Sequence, residues 1–123
     1  MEKQKKVLIV DDDPVSLKML SVRLEVNNFT AITAQNGEEA IEKVKQDKPD
    51  AIVLDLMLPK MSGYEVCSML KFDDNYKDIP IVVLSSLHEQ VERDKAIKSG
   101  ADAYFVKPFD LDLLLVKIKD LLG

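Results

Sequence analysis

The chain has 123 residues, with 17 basic and 22 acidic side chains, a formal net charge of −5 and one cysteine. This length fits one domain with an ordinary core, and the acidic balance argues against nucleic-acid binding, which needs a basic surface. The lone Cys67 excludes an internal disulfide or a thiolate metal cluster, and we expect it to be a small buried side chain.

No apolar stretch approaches the roughly 20 residues that a membrane span needs. The basic N-terminal segment is followed by four apolar residues and three aspartates, a pattern that does not fit a signal peptide. We therefore expect a cytoplasmic chain that forms a single domain over residues 1–123, with no membrane contact and no direct nucleic-acid partner.

Five short runs, rich in Val, Ile and other apolar residues, predict β-strands. Four of them are apolar throughout, which is typical of strands buried on both faces, whereas the second is weaker and fits a sheet edge. In chain order the runs are residues 7–10, 30–34, 51–54, 81–84 and 103–106.

A helical pattern follows each strand. The N-terminal signals are, in chain order, Asp13 before Pro14, Asn36 before Gly37, the capping-box spacing of Ser62 and Glu65, the same spacing of Ser86 and Glu89, and Asp110. We interpret the single histidine, His88, as a surface residue at the start of the fourth helix. The alternation predicts an α/β fold, a doubly wound parallel sheet of five strands with five helices on both faces.

Reactive side chains follow four of the predicted strands. Asp11 and Asp12 come after the first strand, Asp55 after the third, Ser85 after the fourth and Lys107 after the fifth. Because the carboxyl ends of parallel strands share one edge of a sheet, we expect these groups to form one pocket. Clustered carboxylates repel one another unless a cation or a proton lies among them, and hard oxygen ligands suit Mg²⁺. We therefore predict a magnesium site at Asp11, Asp12 and Asp55.

Each of these residues has an ordinary explanation when it is taken alone. The first aspartates can cap the following helix, Lys107 can be a solvated surface lysine, and Ser85 can be a turn residue. However, one cap does not require three acids in a row, and capping leaves Asp55 unexplained. A carboxylate beside Mg²⁺ can attack phosphorus, while Lys107 and Ser85 stabilise the developing negative charge.

Four motifs occur in a specific order: Val10-Asp11-Asp12, residues 55–63, Leu84-Ser85 and Lys107-Pro108-Phe109. In this order and at this spacing the chain resembles the receiver domain of two-component response regulators, in particular the single-domain receivers of chemotaxis, over essentially its whole length. The resemblance implies the flavodoxin-like strand order 2-1-3-4-5. It also implies a signalling switch that assists its own phosphorylation and dephosphorylation and is not a turnover enzyme.

The resemblance implies a metal-bound phosphoacceptor. Asp55 looks like the acceptor, which takes a phosphoryl group from a histidine kinase or a histidine phosphotransfer protein. Mg²⁺, for which Mn²⁺ can substitute, would be bound directly by Asp12, mainly through water by Asp11, and by Asp55 and the backbone carbonyl of Met57.

The resemblance further implies a conformational response. Lys107 would pair with the phosphoryl oxygens, Ser85 would move to hydrogen-bond them, and the ring of Tyr104 would turn inward. The ordinary explanation for Tyr104 is a half-buried strand aromatic whose hydroxyl lies in water, and both roles can hold because a switch requires two rotamers of similar energy. Leu113 and Val116, opposite the core stripe of the last helix, would extend a face beside Tyr104 through which a homodimer or a downstream protein binds.

Two other functions fit parts of the pattern. The Asp-x-Asp spacing of Asp11 and Asp13 fits a Mg²⁺-dependent phosphohydrolase with an aspartyl nucleophile, but no cap insertion is present and Pro14 stands where a flexible residue is expected. A nucleotide- or flavin-binding module would need a Gly-rich phosphate loop, which the chain lacks.

Finally, Met57 and Leu87 are apolar where other receivers carry water-orienting polar groups, so we predict slow self-dephosphorylation.

Overall fold

The computed structural model describes residues 4–87 and 89–123, so His88 and our interpretation of it lie outside the described residues. Strands and helices alternate throughout, as predicted. The strands are β1 (Lys6–Val10), β2 (Thr30–Ala34), β3 (Ala51–Asp55), β4 (Ile81–Ser85) and β5 (Ala103–Val106), and the helices are α1 (Pro14–Val26), α2 (Gly37–Asp47), α3 (Gly63–Lys71), α4 (Gln90–Lys98) and α5 (Leu111–Leu122).

The five strands form one parallel sheet in the order β2-β1-β3-β4-β5, which confirms the flavodoxin-like order. The pairing register aligns the carboxyl ends of the strands: Val10 pairs with Leu54, Asp55 with Leu84, and Ser85 with Val106. All residues that follow these ends therefore emerge at one edge of the sheet.

Two hydrophobic clusters cover the two faces of the sheet. Successive residues of β1 alternate between them, because side chains of a strand point to opposite faces: Leu8 and Val10 pack into one cluster, Val7 and Ile9 into the other. Helices α2, α3 and α4 contribute to the first cluster, and α1 and α5 to the second. Helices on both faces are thus confirmed, and they leave the carboxyl edge as the open part of the sheet.

Two local predictions are wrong. Strand β5 is not buried on both faces, because it lies at the sheet edge and only Tyr104 among its four residues is buried. The predicted capping box of Ser86 and Glu89 does not form: α4 begins at Gln90, and its N-cap Glu89 makes no side-chain capping bond among the described residues. By contrast, Asp13, Asn36, Ser62 and Asp110 accept hydrogen bonds from the first turns of their helices as predicted.

Cys67 lies in α3 and is buried in the hydrophobic core, as expected from the sequence. Burial raises the pKa of its thiol to about 11, so the reactive thiolate is scarce at neutral pH. Within residues 4–87 and 89–123, no helix has both the length and the apolar character that crossing a membrane requires.

Candidate phosphoacceptor and metal site

Three carboxylates converge at the carboxyl edge of the sheet. Asp11 and Asp12 follow β1, Asp55 ends β3, and one carboxylate oxygen from each lies within 4.8 Å of the others. Asp11 and Asp55 are only 2% and 5% exposed, whereas Asp12 is exposed to solvent. Two of the three carboxylates are therefore buried, and Asp12 lies at the solvent side of the cluster.

Backbone amides hold one oxygen of each buried carboxylate. Asp11 Oδ1 accepts from the amide of Asp13 at 2.9 Å, and Asp55 Oδ1 accepts from the amide of Met57 at 2.9 Å. In both cases the Asp side chain accepts from the amide two residues further along the chain, which is a turn that Asp favours. It leaves Oδ2 of Asp11 and of Asp55 directed at the same neighbour, Lys107.

Lys107 supplies the positive charge of the pocket. Its Nζ donates to Asp55 Oδ2 at 2.9 Å and to Asp11 Oδ2 at 3.4 Å. Its backbone amide donates to the carbonyl of Ser85 at 2.7 Å, which ties it to the end of β4. The Lys107–Pro108 peptide bond is cis.

Two pKa shifts describe the electrostatics of the pocket. Burial, assisted by the charge of Asp55, raises the pKa of Asp11 above its ordinary value, although the Asp13 amide and Lys107 act against this rise. Burial lowers the pKa of Lys107, but its bonds to Asp55 and Asp11 outweigh burial and raise that pKa overall. Three carboxylates facing one ammonium leave an excess of negative charge, which a divalent cation would offset.

The donor set fits Mg²⁺. Hard carboxylate oxygens on one side and solvent on the other match an ion that keeps several waters and takes few protein ligands. Asp11, Asp12 and Asp55 would hold it. That the backbone carbonyl of Met57 also binds the metal ion stays a prediction.

Gly63 explains how α3 begins so close to Asp55. A Cβ atom at this position would lie 2.7 Å from the carbonyl oxygen of Asp55 and 2.7 Å from the Cα atom of Leu56. Only a residue without a side chain fits there. The amide of Gly63 also donates to the Leu56 carbonyl at 3.1 Å, which closes the loop after β3.

Ser85 and Tyr104 are joined through the backbone of Leu87. Ser85 is fully buried, and its Oγ accepts from the Leu87 amide at 3.0 Å. The Tyr104 hydroxyl donates to the Leu87 carbonyl at 2.5 Å. The ring of Tyr104 therefore points inward, and the alternative in which its hydroxyl lies in water is wrong for this conformation.

The outer side of α5 carries the apolar residues that the sequence indicated. Leu113 is 59% and Val116 is 63% exposed. Tyr104, which we expected to border this face, is only 9% exposed and adds little to the surface in this conformation.

Sequence reasoning missed an apolar cavity beside the pocket. Its volume is about 300 Å³, and it opens next to Asp11 and Lys107. Its apolar lining is formed by Met19, Leu20, Leu84, Pro108, Phe109 and Leu111. Met19 also belongs to an exposed apolar stripe on α1, made of Val15, Met19, Val22 and Val26. The spacing of these four residues is visible in the sequence and is the signal that we did not use.

Comparison with known proteins agrees with this geometry. A family model, the response regulator receiver domain, matches residues 7–119. The chain belongs to the response regulator receiver family. The match confirms the family that the motifs indicated. Receiver domains of this family are signalling switches of two-component systems.

Two curated relatives are longer than this chain. Response regulator MprA of Mycobacterium leprae is 41% identical over 117 residues, which cover 95% of this chain and 50% of that protein. The DNA-binding dual master transcriptional regulator RpaA of Synechocystis is 38% identical over 117 residues, which cover 95% of this chain and 48% of that protein. The chain thus spans about half the length of these relatives, so the single-domain form that we expected stays a prediction.

Solved receiver structures share the whole fold. A two-component response regulator from Clostridium difficile superposes with a TM-score of 0.90 at 34% identity, covering 97% of this chain and 96% of that one. The chemotaxis response regulator CheY4 of Vibrio cholerae superposes with a TM-score of 0.89 at 30% identity, covering 96% and 98%.

Proposed function

We propose that this receiver accepts a phosphoryl group on Asp55 in the presence of Mg²⁺, and that phosphorylation changes the face formed by α4, β5 and α5. One observation carries the proposal: the Asp55 carboxylate lies against Lys107 within a cluster of three carboxylates. The phosphodonor is a histidine kinase or a histidine phosphotransfer protein.

The transfer needs a free lone pair on a carboxylate oxygen and positive charge around it. An oxygen of Asp55 attacks the phosphorus of a phosphohistidine, an O–P bond forms, the P–N bond breaks, and the released imidazole takes a proton. Lys107 Nζ, now 2.9 Å from Asp55 Oδ2, pairs with the oxygens of the transferred group. A bound Mg²⁺ would neutralise part of the same charge.

The phosphohydrolase alternative is disfavoured by Asp13. In an Asp-x-Asp hydrolase this residue would act as the second acid. Here its carboxylate accepts from the Val15 amide at 3.0 Å and from the Ser16 hydroxyl at 3.1 Å, so it serves as the cap of α1. DNA binding, which the name of RpaA states, belongs to a protein about twice as long, and we propose no nucleic-acid contact for this domain itself.

One assay separates a switch from a hydrolase. The protein is incubated with acetyl phosphate and Mg²⁺, the bound phosphate is counted, and the acyl phosphate is located by mass spectrometry after borohydride reduction. We expect at most one phosphoryl group per chain, on Asp55. Sustained release of phosphate over many turnovers from small phosphate esters would contradict the proposal.

We expect a phosphoryl lifetime of minutes or longer, and a shorter one in Met57→Asn. Met57 is 58% exposed beside the acceptor and has no group that orients water, whereas an amide there supplies one. We expect decay of the label to accelerate about tenfold. Met69→Asn, a matched change of an exposed methionine on α3, should leave the decay unchanged. A wild-type lifetime of seconds would refute this prediction.

We propose that the outer face of α5 pairs with a second copy of the chain after phosphorylation. Leu113 and Val116 are flanked by the opposite charges of Lys117 and Asp120, and a patch that carries both signs of charge can complement a second copy of itself. Self-association in Mg²⁺ and beryllofluoride, measured by analytical ultracentrifugation, should weaken about tenfold in Leu113→Ala with Val116→Ala.

The apolar stripe of α1 provides the control for this measurement. The double change Val22→Ala with Val26→Ala removes similar apolar area from another exposed surface. We expect it to leave the self-association intact. Equal losses in both double variants, or no loss in either, would exclude the α5 face as the pairing surface.

A further inference from the structure

Helix α4 is weakly anchored to the body of the domain. Among its described residues, which span the whole helix, Ala96 is the one that is buried. Its N-cap Glu89 makes no side-chain capping bond within the described part of the chain. Burial and capping are the usual sources of helix stability in a small domain, so other contacts must fix the position of α4.

The first of these contacts comes from Tyr64 of α3. Its hydroxyl donates to the carboxylate of Glu92, and it lies 3.5 Å from the Glu92 carbonyl. One turn further along α4, the Nζ atom of Lys95 lies 4.4 Å from the centroid of the Tyr64 ring. Tyr64 thus contacts α4 through both a charged hydrogen bond and a cation–π contact.

The second contact comes from Tyr104 of β5. The guanidinium Cζ atom of Arg93 lies 5.2 Å from the centroid of its inward ring. Arg93 directly follows Glu92, so the two tyrosines contact adjacent residues in the same turn of α4. If α4 moves away from Tyr64, it also carries Arg93 away from Tyr104.

We infer that Tyr64 is a positioning residue of the switch, which holds α4 where Arg93 covers Tyr104 and thereby favours the inward ring. The inference rests on the proposed function and extends it to a residue of α3 that contacts α4. Tyr104 reaches the pocket through the Leu87 peptide and Ser85 Oγ. Because coupling between two sites is reciprocal, loss of the Tyr64 contact must also weaken binding of a phosphoryl analogue at Asp55.

The chemistry of Tyr64 suits a permanent contact. Burial and, after it, the hydrogen bond to Glu92 raise the pKa of its hydroxyl above the ordinary value. The hydroxyl therefore stays protonated, and remains a donor, throughout the pH range in which the domain is studied.

The experiment measures binding of beryllofluoride with Mg²⁺ to the full chain and the ring environment of Tyr104 by ¹⁹F NMR of 3-fluorotyrosine. The chain has three tyrosines, and the signal of Tyr104 is assigned with Tyr104→Phe. In Tyr64→Phe we expect the apparent Kd for beryllofluoride to rise about threefold to tenfold, and the Tyr104 signal to shift before any beryllofluoride is added.

Four further variants separate this role from a general loss of stability. Tyr76→Phe, a change of another half-buried tyrosine, should alter neither readout. Glu92→Gln keeps an acceptor for Tyr64 and should retain most of the affinity, whereas Glu92→Ala should match Tyr64→Phe. The double variant Tyr64→Phe with Glu92→Ala should be no worse than either single variant, since both remove one contact.

Two results would overturn the inference. One is an unchanged Tyr104 signal in Tyr64→Phe, with an affinity within about twofold of the wild type. The other is full additivity of Tyr64→Phe and Glu92→Ala. Failure of the wild-type protein to bind beryllofluoride at Asp55 would instead contradict the proposed function, and the Tyr104 signal without beryllofluoride would still decide the role of Tyr64.

Discussion

Asp55→Asn is expected to abolish phosphoryl incorporation from acetyl phosphate completely while leaving the fold intact. An amide has no anionic oxygen with which to attack phosphorus. It is otherwise isosteric with the carboxylate, and its oxygen can still accept from the Met57 amide, as Asp55 Oδ1 does at 2.9 Å. Bound phosphate measured by intact-mass spectrometry should fall from about one group per chain to the background.

The control for this variant is Asp78→Asn, which removes the same charge from an exposed position. It should incorporate phosphate like the wild type. The strongest contradiction would be Asp55→Asn protein that still takes up phosphate on Asp11 or Asp12, because these carboxylates lie in the same cluster. Such a result would show that the pocket, and not Asp55 specifically, determines where the phosphoryl group goes.

The pocket is predictable from the sequence because each of its parts has a local signature. An apolar run predicts a strand, and the first polar residue after it marks the strand end. Parallel pairing then brings these ends together, although Asp11 and Lys107 are 96 positions apart along the chain. The prediction needs only the strand ends and the parallel sheet, and it does not depend on side-chain packing.

The conformation of Tyr104 is not predictable in this way. The Tyr104 hydroxyl bonds to a backbone carbonyl 17 positions away, in the loop after β4. The spacing of Ser86 and Glu89 in that loop predicts a capping box. Ser85 Oγ instead accepts from the Leu87 amide, and the helix begins only at Gln90. Long-range hydrogen bonds of this kind have no periodicity that a sequence pattern can reveal.

Helix α4 shows a second limit of pattern reading. The apolar residues of a helix usually face the core, yet Val91 and Ile97 of α4 are exposed and Ala96 is the buried residue. The position of α4 depends instead on the polar and aromatic contacts of Tyr64, which is 28 positions from Glu92. A residue that packs through such contacts looks like an ordinary helix residue in the sequence.

Asp11→Asn is expected to lower the affinity for Mg²⁺ strongly and, at the same time, to stabilise the metal-free protein. Asp11 is almost fully buried beside Asp55, and its pKa lies above the ordinary aspartate value because burial disfavours its charge. The charged form of Asp11 is therefore unfavourable in the metal-free protein, and a bound divalent cation would stabilise it. We expect a gain of about 1 kcal/mol, or about 4 °C in Tm, in EDTA. The stabilisation that Mg²⁺ gives the wild type should need at least about tenfold more metal in the variant.

The dependence of this effect on pH follows from the direction of the pKa shift. Between the ordinary aspartate pKa and the raised value in the folded state, the folded protein binds more protons than the unfolded chain does. Its stability without metal must therefore fall as the pH rises through that window. Asp11→Asn lacks this slope, so the variant gains its advantage above the window and not below it. Thermal unfolding in EDTA from acidic to neutral pH, with Asp78→Asn as control, measures the difference. The contradicting result is a variant that is less stable than the wild type at neutral pH. It would mean that Lys107 fully compensates the charge of Asp11 without metal. The pocket would then need no divalent ion for its electrostatic balance.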